Sequence, residues 1–76
     1  MSAEEKLIHV AKITIDYAKQ YKETGDEKFY FFIICSLDII YKNQDWWKKE
    51  EIINMNNKDY ADEIIRRVSH DFLENK

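Results

Sequence analysis

The stretch Lys28-Phe29-Tyr30-Phe31-Phe32-Ile33-Ile34-Cys35-Ser36-Leu37-Asp38-Ile39-Ile40-Tyr41 decides how this chain is read. Aromatic and β-branched residues are at home in sheets. The run is nonetheless too long for a usual strand, and it contains no turn signal. Lys28, Asp38 and Lys42 also recur at helical spacing. The pattern therefore predicts a helix that starts near Asp26 and ends at Tyr41 or Lys42. One face carries Phe29, Ile33, Leu37 and Ile40, flanked by Tyr30 and Tyr41, and that face suffices to pack on a neighbour. Phe31 and Cys35 fall within the polar strip of Lys28, Asp38 and Lys42, with Phe32 and Ile39 beside it. A helix that is apolar almost all round is either central in its bundle or covered by another chain.

Upstream, Ser2 and Glu5 form an S-x-x-E capping box, which opens a helix over residues 3–22. Leu7, Val10, Ala11, Thr14, Tyr17, Ala18 and Tyr21 share its apolar face, and Ile8 and Ile15 widen one shoulder. Gly25 is the natural stop, because glycine adopts the left-handed conformation at little cost. Downstream, a short helix is expected over residues 45–55, capped by Asp45 or Asn43. Its pattern is poor: Trp46 and Ile53 share a face, while Trp47 and Ile52 point elsewhere. A last helix begins after Asn56 or Asn57. Tyr60, Ala61, Ile64, Ile65, Val68 and Phe72 form its stripe, and Asp62–Arg66 and Glu63–Arg67 are acid-first pairs on its exposed side.

No proline and a single glycine argue against sheet-rich folds, which need turn residues at regular intervals. The expected architecture is all-α: one domain over residues 1–76, a compact antiparallel bundle of three long helices and one short, with the second helix central. A composition of 45% hydrophobic and 36% charged residues belongs to a folded chain rather than a disordered one. A single cysteine rules out an internal disulfide, and Cys35 in its apolar run is expected to be a buried small hydrophobe in a reducing compartment. The start of the chain lacks the pattern of a signal peptide, and the apolar run is too short and too interrupted to cross a bilayer, so the expected location is cytoplasmic. Heavy use of Ile, Lys, Asn and Tyr fits an AT-rich coding background, as in a low-GC bacterium or its phages.

Chemistry-bearing patterns are scarce. His9 and His70 fall on polar helix faces, and Cys35 has no base within sequence-visible reach, so no catalytic role is expected. No zinc-ligand spacing, EF-hand, P-loop or dinucleotide fingerprint occurs, and neither metal nor cofactor is expected. A mixed-charge polar face on the first helix does not suit a membrane surface. The net charge of −3 offers no electrostatic footprint for nucleic acid. The rival reading is a dimeric helix-turn-helix regulator built from residues 45–55 and the last helix. Its recognition end would carry Asp59, Asp62 and Glu63, which phosphate repels.

The aromatic surplus remains. Aromatic side chains are the commonest anchors of protein interfaces, set in a polar rim. Phe31, Phe32, Trp46 and Trp47, rimmed by Lys48 and Lys49, are the residues expected to meet another protein. A core role is the competing reading for Trp47. The expected function is a small non-catalytic binding protein, phage- or mobile-element-encoded, that inhibits or regulates a partner by steric occlusion. A twofold copy of the same chain is a further candidate for covering the second helix.

Overall fold

The structure, a computed structural model, describes residues 2–52 and 55–74, with Glu51 described by its backbone alone. Helix α1 spans Ala3–Thr24. The Glu5 N–H donates to Ser2 Oγ at 3.1 Å, as a capping box requires. The return contact runs from the Ser2 hydroxyl to Glu5 Oε1 at 3.3 Å rather than from the Ser2 amide. At the other end Gly25 has φ +67° and its N–H donates to the Tyr21 carbonyl at 2.8 Å. This left-handed glycine satisfies a carbonyl that the helix would otherwise leave open.

Asp26 then caps helix α2, Glu27–Ile40, by accepting from the Lys28 N–H at 3.1 Å. The link between the helices is so short that α2 must fold back along α1. Tyr21 meets Tyr30 (ring centroids 6.1 Å apart) and Tyr17 meets Phe32 (5.1 Å), the descending contacts of an antiparallel pair. Helix α3, Asn57–Val68, is capped by Asn56, which accepts from the Asp59 N–H at 2.8 Å. Beyond Val68 the chain widens into a π-helix over Ser69–Glu74. Every regular element among the described residues is helical, and the Cα radius of gyration is 11.8 Å. A compact chain of this length has about 11 Å.

The central helix is α1, not α2 as the sequence suggests. It packs extensively on both α2 and α3, and it also meets the π-helix. Its side chains explain why. Ala11, Thr14 and Ala18 are fully buried and small, so neighbours can approach closely on either side. Thr14 Oγ1 donates to the Val10 carbonyl at 2.8 Å, leaving no unpaired hydroxyl there. Helix α2 is an outer helix. It buries Ile33, Ser36, Leu37 and Ile40 and leaves its remaining apolar residues half or fully open.

The short helix expected over residues 45–55 does not form. Among its described residues there is a turn closed by the Lys48 N–H on the Asp45 carbonyl (3.2 Å) and a single 3-10 turn, Lys49–Glu51. Tyrosine hydroxyls take over the backbone groups. Tyr60 Oη donates to the Trp47 carbonyl, and the Lys49 N–H donates to Tyr30 Oη at 3.0 Å. A helix would have turned the adjacent tryptophans to different faces, whereas this irregular path drives Trp47 into the core. Ile53 lies outside the described residues, and with it the face it was expected to share with Trp46. Of the acid-first pairs expected on α3, Glu63–Arg67 forms and Asp62–Arg66 does not. Glu63 takes both arginines, Arg66 at 2.7 Å and Arg67 at 3.4 Å, and Asp62 reaches across to Lys22 at 2.7 Å. No helix among the described residues is long and apolar enough to cross a membrane.

Candidate docking surface

The six residues expected to meet a partner separate into two groups. Trp47 is fully buried and is the largest side chain of the core, so it cannot anchor a partner. It lies against Tyr41 (centroids 5.5 Å) and edge-on to Trp46 (5.7 Å, 87°). Trp46 is half-buried: the Arg67 guanidinium covers its ring at 4.4 Å from the centroid, and Tyr41 meets it edge-on. Lys48 pairs with Asp45 at 3.3 Å. Lys49 turns inward, with Nζ donating to Tyr21 Oη at 2.6 Å and lying over the Tyr21 and Tyr30 rings. Trp46 and Trp47 therefore pack against Tyr41 past the C-terminal end of α2, while Lys49 reaches Tyr21 and Tyr30 near the link between α1 and α2, so the segment runs along the bundle. Of the four, full burial removes Trp47 alone, and Trp46, Lys48 and Lys49 are half-buried.

Phe31 and Phe32 are exposed, at 59% and 43% of their surface, together with Ile39 at 58%, and Phe31 shares a hollow of about 270 Å³ with Tyr30, Ile34, Lys48 and Glu50. All three lie on the outer side of α2, where helical geometry set Phe31, Phe32 and Ile39 beside Lys28, Asp38 and Lys42. Cys35 lies among them and is exposed, contrary to its expected burial. Its place on the polar strip of α2, away from Ile33 and Leu37, accounts for this. Three large side chains left about half open amount to about 300 Å² of apolar surface. That is the size of the largest patch on a typical monomer, which is often functional.

The patch continues into a groove of about 250 Å³ between α1 and α2. Val10, Ile13 and Tyr17 form one wall, and Phe32, Cys35, Ser36 and Ile39 the other. Ser36 Oγ is turned away, donating to the Ile33 carbonyl at 2.9 Å, so the groove is almost wholly apolar. Ile13 was missed in the sequence. The signal was there, since it stands three residues after Val10 and four before Tyr17, which extends the stripe toward solvent. A larger hollow of about 600 Å³ lies against α1 and α3, lined by Lys19, Lys22, Glu23, Lys58 and Ile65. Its charges are of both signs and Lys22 is already held by Asp62, so it reads as a solvated ionic surface.

Two tyrosines have perturbed phenols. Burial, then the hydrogen bond to Asp71 and its charge, pushes Tyr41 well above the usual range. Burial, followed by Tyr30 and Tyr21, does the same to Tyr60. Both hydroxyls are donors in structural contacts. Among the described residues no three His, Cys, Asp or Glu side chains gather in a way that could hold a metal ion. The helix-turn-helix layout loses its first helix, since residues 45–52 are irregular apart from the 3-10 turn. No protein-family model, curated protein or solved structure is significantly similar to this chain.

Proposed function

We propose that this chain is a small non-catalytic protein-binding module that acts by covering a partner's surface, and that the outer side of α2 makes the contact. One observation carries the reading: Phe31, Phe32 and Ile39 stand open on one helix while fourteen-residue α2 has already filled its share of the core. Full burial of such a side chain supplies about 1.5–3 kcal/mol, and leaving these three about half open forgoes roughly half of that each. Contiguous exposure of this kind marks interaction surfaces. A module this small, with aromatic anchors and no metal-holding cluster among the described residues, inhibits or regulates by excluding others from the surface it occupies. Trp46, Trp47 and Lys49 support this role indirectly, by fixing the bundle that presents α2.

Site-specific photo-crosslinking in the native cell tests the reading. A benzoyl-phenylalanine is placed at Phe31 or Phe32, and at exposed Asp62 on α3 as a control. The expected result is an adduct with one discrete protein from the α2 positions alone. Equal, diffuse labelling from all three positions would remove the assignment.

A further inference from the structure

The groove between α1 and α2 has a charge pattern that says what can lie in it. In an α-helix each residue advances about 100°. By that measure Lys6 lies in line with the wall formed by Val10, Ile13 and Tyr17, one turn before Val10. Lys28 lies in line with Phe32 and Ile39, one turn before Phe32. Because Tyr17 and Phe32 stand level, at 5.1 Å between rings, these two lysines mark opposite ends of the groove. Both are exposed. Lys6 has no ion pair among the described residues, and Lys28 has a single loose one, 3.8 Å to exposed Asp26. Lys42, just past the end of α2, adds a third exposed cation near the Lys6 end. Asp26 stands beside Lys28 at one end, whereas Asp16 and Asp38 are turned roughly 100° away from the mean direction of the groove walls by the same geometry. A chain of net charge −3 thus presents cations at both ends of this apolar groove.

We propose that this groove receives an amphipathic helix of another protein whose apolar stripe is closed at each end by Asp or Glu. The inference rests on the protein-binding reading above and specifies the partner. Two antiparallel helices offer a third helix the ridges and grooves it needs to pack. An apolar helix face laid in such a groove is a recurring recognition mode. Charges flanking the apolar seam set which partner and which orientation is accepted. Counting along α1 from Lys6 to Tyr17, then along α2 from Phe32 to Lys28, the cations are roughly 22 Å apart along the axis, about fifteen residues of helix. The partner helix therefore runs about four turns, with its acids that far apart. A second copy of this chain is the poorer occupant. A twofold interface sets the same patch against itself, which would bring Lys6, Lys28 and Lys42 of both copies together with no acid in line.

The test uses two acetylated and amidated eighteen-residue peptides with the same leucine stripe. One carries Glu at the two positions fifteen residues apart, and the other carries Lys there. Each is titrated into the isotope-labelled full chain, and amide shifts are followed by NMR. The expected result is that the Glu peptide shifts Val10, Ile13, Tyr17, Phe32 and Ile39 and binds at least about tenfold more tightly than the Lys peptide. The double variant Lys6→Glu with Lys28→Glu, both at exposed positions, should reverse that preference. Equal binding of the two peptides, shifts located elsewhere, or no shift with either overturns the proposal. So does a homodimer in sedimentation that Phe32→Asp dissociates, or binding to phosphatidylglycerol vesicles in place of the Glu peptide. If the peptides fail while crosslinks from Phe31 persist, the helical acidic partner is wrong and the protein-binding reading stands.

Discussion

Trp47 holds the largest buried side chain in the molecule and the one buried side-chain polar atom without a partner among the described residues, Nε1. The two facts pull in opposite directions. Its rings fill the space between Tyr41 and Trp46, and truncation of a buried Trp costs about 3–5 kcal/mol. Its unpaired N–H costs about 1–3 kcal/mol in lost hydration. Trp47→Ala is therefore expected to lose several kcal/mol in urea unfolding, while Trp47→Phe, which discards the N–H and keeps an aromatic ring, loses much less. Phe31→Ser, at the opposite extreme of exposure, is expected to leave the unfolding midpoint within about 0.5 kcal/mol of wild type. A large loss at Phe31 would mean that its ring supports the fold rather than waiting for a partner. Gly25 is the other residue where one atom matters. Its φ of +67° is costly for any side chain, and a Cβ there would meet Asn57 Nδ2 at 3.4 Å, an ordinary contact. Backbone conformation is then the main penalty, and Gly25→Ala should destabilise by about 1–2 kcal/mol. Thermal unfolding checks it, at about 4–8 °C per kcal/mol for a domain of this size.

The elements divide by how far their causes lie from them in sequence. Helices α1, α2 and α3 were legible because their caps are local. Ser2 with Glu5, Gly25 after Thr24, Asp26 before Lys28 and Asn56 before Asp59 each act within a few residues. The exposed side of α2 was legible for the same reason, since the 3.6-residue period alone set Phe31, Phe32 and Ile39 away from Ile33 and Leu37. The segment after Tyr41 was not legible. Its backbone is held by Tyr30 and Tyr60, and its Lys49 by Tyr21, partners that only the folded chain brings near. The rank of α1 as the central helix was misread too, although Ala11, Thr14 and Ala18 carried the signal: the helix between two others needs small side chains, and the greasiest helix need not be that one. The tyrosine contacts make a prediction at this scale. Tyr30→Phe and Tyr60→Phe each keep the ring and remove the hydroxyl that pairs with the segment's backbone. A buried group left unpaired costs about 1–3 kcal/mol. The Trp47 carbonyl lies at a fully buried residue, so Tyr60→Phe should be the more damaging of the two. Limited proteolysis reads the effect: cleavage should quicken within residues 42–56 while α1 and α2 remain protected.

At the scale of the whole molecule, two aromatic groups hold the three α-helices and the segment between α2 and α3. Tyr21 of α1, Tyr30 of α2 and Tyr60 of α3 converge, with centroid distances of 5.6–6.2 Å. A second group, Tyr41, Trp46, Trp47 and Phe72, ties the segment to the π-helix. The groups that hold the bundle shut are thus phenols kept neutral, chiefly by burial at Tyr60 and, at Tyr41, by burial and then by Asp71. The fold is therefore expected to lose stability at alkaline pH. In the unfolded chain these phenols ionise near pH 10. In the folded chain they hold their protons to higher pH. Above about pH 10 the unfolded state has therefore bound fewer protons than the native state, and rising pH favours unfolding. Below that point both states are protonated and the tyrosines' contribution to stability is intact. Urea unfolding followed from pH 7 upward should show a midpoint unaffected by these groups until about pH 10, then a fall. The tyrosinate absorbance contributed by Tyr60, read as the difference between wild type and Tyr60→Phe, should rise together with unfolding rather than ahead of it. Tyr60→Phe starts from a lower stability yet should lose less of it between pH 10 and 11, because one of the two proton-linked groups is gone. If Tyr60 ionised with the bundle still folded, the fall would be absent, and the phenol would not be the sealed hydrogen-bond donor that its place against the Trp47 carbonyl requires.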